Sequence, residues 1–130
     1  TALDAEIIAE LKTVSHRAEF FPSLLREAEH DMVRCVQHIL EALEKRQHGA
    51  VRDAAHALKG VSGSVGAVRV YALASSLMAT PGDDLDRSAE RWAADVSEAL
   101  RITIAALRRE IEAAGNAAES SSGSPSLHFR

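Results

Sequence analysis

Aromatic residues, cysteine and long apolar runs are all scarce in this chain of 130 residues. One Trp, one Tyr and three Phe supply little of what β-strands favour, whereas 24 Ala and 13 Leu favour α-helices. No apolar run approaches the roughly 18 residues of a membrane-spanning helix. The single cysteine, Cys35, excludes an internal disulfide and a zinc site built on several cysteines, which indicates a reducing compartment. The composition predicts one all-helical domain in the cytoplasm.

Positive charge is also in short supply. The 15 Lys and Arg residues stand against 19 Asp and Glu, the net charge is −4, and no basic run is longer than two residues. This balance lacks the electrostatic footprint of a nucleic-acid-binding protein. We therefore expect no nucleic-acid partner. Because no apolar run is long enough to span a bilayer, we also expect no direct membrane contact, and we expect a monomeric module.

Apolar residues recur at helical spacing along most of the chain. The spacing predicts a short helix over residues 3–14 and a long second helix with Pro22 in its first turn and a left-handed stop at Gly49. A third helical segment begins near Val51 and continues to the breaker Thr80-Pro81-Gly82. Whether residues 63–66 interrupt that segment or only bend it stays open at this point.

The last apolar stripe runs from Trp92 to Ile111 and is expected to close at Gly115. The pattern as a whole predicts an antiparallel up-and-down four-helix bundle with a short extra N-terminal helix over residues 1–114. The Ser- and Gly-rich residues 115–130 are interpreted as a flexible C-terminal tail.

The third segment carries polar residues and glycines that packing does not explain. On a helical wheel centred on Leu58, the residues on or beside the solvent-facing side are Arg52, His56, Lys59, Gly60 and Gly63. A glycine inside a helix costs about 0.5–1 kcal/mol relative to alanine, so Gly60 is unfavourable there on propensity alone. Because Gly60 lies one turn beyond His56, its missing side chain leaves room for another protein to approach the imidazole.

The chemistry of this group of residues suits phosphoryl transfer. An exposed histidine is largely unprotonated at pH 7, so a ring nitrogen of His56 can attack phosphorus. Lys59 at i+3 reaches the same side and can hold phosphoryl oxygens, and Arg52 at i−4 adds a second positive charge.

Residues 56–60 (H-A-L-K-G), Ser62 and Gly66-Ala67 together resemble the H-x-L-K-G-x-S-x-x-x-G-A signature of histidine-containing phosphotransfer (HPt) domains, which serve multistep two-component signalling. The resemblance implies that His56 is the phospho-acceptor, that Lys59 stabilises the phosphoryl group, and that a response-regulator receiver domain docks over Gly60. We assign Arg52, Gly60 and Gly63 to partner docking.

The resemblance also implies no cofactor or metal in this chain, a Mg²⁺ ion on the receiver, and no autonomous kinase activity. It suggests a longer parent protein, namely a bacterial hybrid sensor histidine kinase, of which this module would be a cytoplasmic part. The chain departs from the family at Met78, where a polar Gln or Glu often hydrogen-bonds the histidine ring.

Two alternatives differ in class from a phosphorelay carrier. The long apolar stripes also fit a non-catalytic helical module for protein interaction or dimerisation. A hydrolase with His56 as its base is weaker, because no nucleophile or oxyanion site is placed beside it. A metal site on His30 and His38 is disfavoured, since the two lie two helical turns apart.

Overall fold

The computed structural model describes residues 2–14 and 19–127. Every regular element in these ranges is an α-helix, in the order α1 (Ala5–Val14), α2 (Phe20–Glu44), α3 (His48–Ser64), α4 (Val68–Ala79), α5 (Gly82–Arg87) and α6 (Ala89–Leu127). The all-helical prediction is therefore confirmed. None of the helices in this part of the chain is both long and apolar enough to cross a membrane.

Four helices form the bundle, and α1 and α5 are short additions to it. Helix α2 packs against α3 and α6, and α4 packs against the same two partners. Residues 45–47 join α2 to α3 and residues 65–67 join α3 to α4, and helices that pack together across such short connections run antiparallel. The core between them includes side chains with no exposed surface, among them Leu25, Met32, Ile39, Leu58, Leu77 and Leu107.

The abundance of alanine has a structural reason in this bundle. Ala55 on α3, Ala74 on α4 and Ala99 on α6 are each fully buried. Small side chains let neighbouring helix backbones approach closely without leaving voids, so the interior stays close-packed although it contains few aromatic rings. This packing fixes α3 against its neighbours and thereby sets the direction of its outer face.

Helices α2 and α3 end with the same hydrogen-bonded C-terminal motif. At the end of α2, Gln47 N donates to Ala42 O (2.9 Å) and Arg46 N donates to Leu43 O (3.2 Å). This is a Schellman motif, and its left-handed residue is Arg46 with φ of 54°. The predicted left-handed stop at Gly49 is wrong, because the turn closes three residues earlier and α3 already begins at His48 rather than near Val51.

At the end of α3 the left-handed residue is Gly66, with φ of 69°. Ala67 N donates to Ser62 O (2.8 Å), and Gly66 N donates to Gly63 O (3.3 Å). Residues 63–66 therefore interrupt the third segment and divide it into α3 and α4. The carbonyl of Gly66 also accepts a 2.7 Å hydrogen bond from Asp4 N, which docks α1 onto this corner of the bundle.

Breaker residues Thr80-Pro81-Gly82 end α4 as predicted, and α5 follows as a separate short helix. Asp83 and Asp84 lie in its first turn, where acidic side chains favour the positive end of the helix dipole. His48 Nε2 lies 2.8 Å from Asp86 Oδ1, so the start of α3 is tied to α5.

Helix α6 is longer than the sequence predicts. It continues through Gly115 to Leu127, so the expected end at Gly115 is wrong. Gly115 has an ordinary helical φ, and three alanines at positions 113, 114 and 117 surround it, which favours continuation. The division into a bundle over 1–114 and a flexible tail over 115–130 stays a prediction, and residues 128–130 of that tail lie outside the described residues.

Candidate functional site

His56 lies near the middle of α3, on the side that faces away from the core. The buried side of this helix consists of Val51, Ala55, Leu58 and Ser62, each with no exposed surface. The imidazole of His56 is exposed, as the helical wheel predicts. None of the described residues makes a hydrogen bond or an ion pair with this ring, so both ring nitrogens are open to an incoming group.

Gly60 leaves open space one turn beyond His56. A Cβ built on Gly60 would meet nothing within 4 Å, so no contact among the described residues requires a glycine at that position. An exposed helical glycine without a packing reason is costly relative to alanine. The clearance beside His56 is therefore a property that the bundle itself does not use.

Lys59 projects from the same helix and reaches an aromatic ring on α4. Its Nζ lies 5.5 Å from the centroid of the Tyr71 ring, within the range of a cation–π interaction. No carboxylate among the described residues forms an ion pair with this ammonium. The ammonium of Lys59, one helical turn from His56, therefore contacts an aromatic ring and is not neutralised by a carboxylate of the described residues.

Gly63 has a different reason from Gly60. A Cβ built on Gly63 would lie 3.3 Å from Cε2 and 3.4 Å from Cδ2 of Tyr71, which is tighter than most real contacts. The ring of Tyr71 therefore packs against the α3 backbone at this point. Gly63 therefore has a packing reason in the contact of α4 with α3, and its assignment with Gly60 to partner docking stays a prediction.

Arg52 is also engaged within the bundle. Its guanidinium is partly buried and donates a long hydrogen bond of 3.4 Å to the carbonyl of Thr80. Thr80 follows the last residue of α4, and cationic side chains favour the carbonyl end of a helix. Arg52 thus links α3 to the end of α4, on the flank of the face that carries His56.

Tyr71 is the residue of this site that sequence reasoning missed. The sequence analysis gives it no role, yet 41% of its surface is exposed. A signal was present in the spacing: Tyr71 lies five residues after the turn residue Gly66, and Val61 lies five residues before it. Antiparallel helices joined by a tight turn bring such positions side by side, so Tyr71 had to lie close to residues 59–63.

Met78 is half-buried and packs against the core. A thioether cannot donate a strong hydrogen bond, so this side chain offers the His56 ring no equivalent of the polar residue often found at that position in the family. His30 and His38, the pair considered for a metal, are both exposed on α2.

Comparison with protein-family models matches residues 23–117 to the Hpt domain. Among solved structures, the chain is similar to histidine-containing phosphotransfer protein B from Pseudomonas aeruginosa PAO1, at 24% identity and a TM-score of 0.65, over 85% of this chain and 95% of that one. It is also similar to the HPT domain of a sensor hybrid histidine kinase from Shewanella, at 17% identity and a TM-score of 0.66, over 85% of this chain and 94% of that one. Likeness at these identities shows the fold alone.

A comparison with curated proteins gives no match. The family model, by contrast, spans α3 and α4 entirely, together with most of α2 and residues 89–117 of α6. It therefore covers both helices that build the site around His56. The chain belongs to the Hpt domain family, whose members carry phosphoryl groups in two-component phosphorelays.

Proposed function

We propose that His56 accepts a phosphoryl group from the phosphoaspartate of a receiver domain and passes it on to another receiver or back. In the forward step an unprotonated ring nitrogen of His56 attacks phosphorus, the N–P bond forms, and the acyl P–O bond to aspartate breaks. The aspartate leaves as a carboxylate, and the other ring nitrogen keeps its proton. The reverse step has the same balance.

The observation that carries this proposal is the exposed imidazole of His56, with open space one helical turn away at Gly60. In-line attack needs the phosphoryl group to approach along the axis of a ring nitrogen, with the receiver's surface close to α3. His56 is exposed, and apart from the backbone of α3 itself no atom of the described residues lies within 4 Å of the place where a Cβ of Gly60 would be. A receiver can therefore approach without a rearrangement of the bundle.

Lys59 supplies positive charge to the transferring group. Negative charge on the phosphoryl oxygens is stabilised by fixed cationic donors, and a lysine with no carboxylate partner has its N–H groups available for this task. The Mg²⁺ ion belongs to the receiver's aspartate pocket, and this chain contributes His56 and Lys59. We expect no ATP binding and no turnover by this domain alone.

An apolar depression next to the site supports docking of a protein partner. It has a volume of about 250 Å³ and lies at the corner of α1, α3 and α4, lined by Ile7, Ser62, Gly63, Gly66, Ala67, Val68 and Tyr71. Val68 and Tyr71 are each more than two-fifths exposed. Exposed apolar surface close to a reactive group is typical of a place where a partner packs.

The test uses a panel of purified receiver domains labelled on aspartate with radioactive acetyl phosphate. We expect the wild-type chain to take up acid-labile, base-stable label and His56→Gln to take up none. His38→Gln, an exposed histidine on α2, is the matched control and should label normally. Label on His56→Gln at the wild-type level would show that the acceptor is another residue, and tight receiver binding without label would favour the non-catalytic interaction module.

A further inference from the structure

The contact between Lys59 and Tyr71 joins α3 to α4 inside the candidate site. We propose that Tyr71 is a positioning residue, which holds the ammonium of Lys59 on the face of α3 that carries His56. The inference rests on the proposed phosphotransfer function and extends it to a residue on a second helix.

The ring is held in place from the α3 side. Gly63 lies one turn beyond Lys59 on the same side of the helix, and a Cβ there would lie only 3.3 Å from Cε2 of Tyr71, so the glycine lets the ring lie against the α3 backbone without a shift. The face of the ring lies 5.5 Å from the ammonium of Lys59. Because no carboxylate among the described residues pairs with that ammonium, the ring is the contact that we infer limits the motion of the four-carbon stem.

The other two lysines of the chain show that this arrangement is distinctive. Lys45 pairs with Glu41 at 2.9 Å. Lys12 pairs with Glu110 at 3.3 Å, in addition to a contact with an aromatic ring. Lys59 has the ring and no carboxylate among the described residues. Of the three lysines, it is the one that contacts an aromatic ring without pairing with a carboxylate of the described residues.

The difference between a ring and a carboxylate matters for a phosphoryl group. A carboxylate would accept the ammonium's hydrogen bonds and would compete with the phosphoryl oxygens for them. An aromatic face attracts the cation through its quadrupole and takes none of its N–H donors in this way. Tyr71 can therefore limit the conformational freedom of Lys59 before docking without opposing its interaction with the phosphoryl group.

The test measures the initial rate of phosphoryl transfer from the labelled receiver to His56 in variants of Tyr71. We expect Tyr71→Leu to slow transfer about two- to fivefold, the factor that corresponds to one exposed cation–π contact. Tyr71→Phe keeps the ring and should restore most of the rate. Phe20→Leu removes another half-exposed ring, at the start of α2, and serves as the matched control.

Two further measurements separate positioning from a general structural effect. In a Lys59→Met background, Tyr71→Leu should cause no additional slowing, because the two residues act through one contact. In NMR spectra of the unphosphorylated chain, the ring current should displace the Lys59 ε-methylene protons in the wild type and in Tyr71→Phe but not in Tyr71→Leu.

The outcomes distinguish this inference from the function on which it rests. A wild-type chain that takes up no label on His56 refutes the proposed function. A wild type that is labelled, with Tyr71→Leu equally fast, refutes the positioning role alone. The same conclusion follows if Tyr71→Leu slows transfer to the same extent when Lys59 is already methionine.

Discussion

Substitutions at Gly60 should separate the stability of the bundle from its function. Gly60 lies in the interior of α3 with a helical φ, and a Cβ there meets nothing within 4 Å. Gly60→Ala should therefore recover the helix propensity that glycine forgoes, about 0.5–1 kcal/mol, without any steric cost. For a domain of this size, that gain corresponds to a rise in Tm of about 2–4 °C.

Gly60→Gln tests the clearance. Glutamine is also a good helix former, so its Tm should equal or exceed that of the wild type. Its side chain would occupy the free space next to His56, and a docking receiver would have to immobilise it. Fixing such a side chain costs about 1.5–2 kcal/mol. That cost should slow transfer to His56 by about ten- to thirtyfold.

The assay combines thermal unfolding by circular dichroism with the initial rate of label transfer from a receiver. Gly115→Gln is the matched control, because Gly115 is another exposed helical glycine with open space around it, on α6. We expect this control to transfer at the wild-type rate. A Gly60→Gln variant that is stable and equally fast would refute the idea that the glycine exists for the approach of a partner.

Three further substitutions test the fold. Gly66→Ala should destabilise the bundle by about 2 kcal/mol in urea unfolding, because its φ of 69° disfavours a side chain and the new Cβ would lie 3.0 Å from Asp4 Cβ. Thr103→Val should raise the free energy of unfolding by about 1–2 kcal/mol, because Thr103 is fully buried and its hydroxyl lacks a hydrogen-bond partner among the described residues. Burial raises the pKa of the Cys35 thiol above its ordinary value of 9.0, so the unfolded chain loses this proton first. The wild type should therefore lose stability relative to Cys35→Ala as the pH rises above about 9. Urea unfolding of both proteins at pH 7.5 and 9.5 measures this change. An equal change in the two proteins would show that the thiol is solvated in the folded state.

The helices could be predicted because their signals are local. The apolar stripe of α2 has a period that only a helix satisfies, and Pro81-Gly82 interrupts any helix that reaches it. The stop of α2 could not be read in the same way. An arginine in the left-handed conformation costs about 1 kcal/mol of free energy. The packing of α2 on α3 and the contact between His48 and Asp86 accompany a turn at Arg46 in spite of that cost, three residues before Gly49. The preference of glycine for a left-handed position therefore does not decide where a turn lies when the packing of two helices fixes it.

The residues of the candidate site could likewise be predicted only where they lie on one helix. His56, Lys59 and Gly60 share a face through the periodicity of one helix, so the sequence alone could place them together. Tyr71 reaches Lys59 only through the packing of α4 on α3, which no pattern within α3 contains. The contact of Arg52 with the end of α4 could not be predicted for the same reason, since its hydrogen-bond acceptor, Thr80, lies 28 residues further along the chain. The assignment of Arg52 to partner docking stays a prediction.

Gly60 and Gly63 show that helix propensity alone does not explain a glycine inside a helix. Both carry the same cost in helix propensity, but only Gly63 has a neighbour that a Cβ would meet, the Tyr71 ring at 3.3 Å. Gly63→Ala must push that ring by a few tenths of an ångström, so we expect it to give less stability than Gly60→Ala. Because the displaced ring also restrains Lys59, Gly63→Ala should shift the Lys59 ε-methylene resonances, whereas Gly60→Ala should leave them in place. If the two alanine variants behaved alike in both measurements, the distinction between a glycine kept for a partner and a glycine kept for packing would fail.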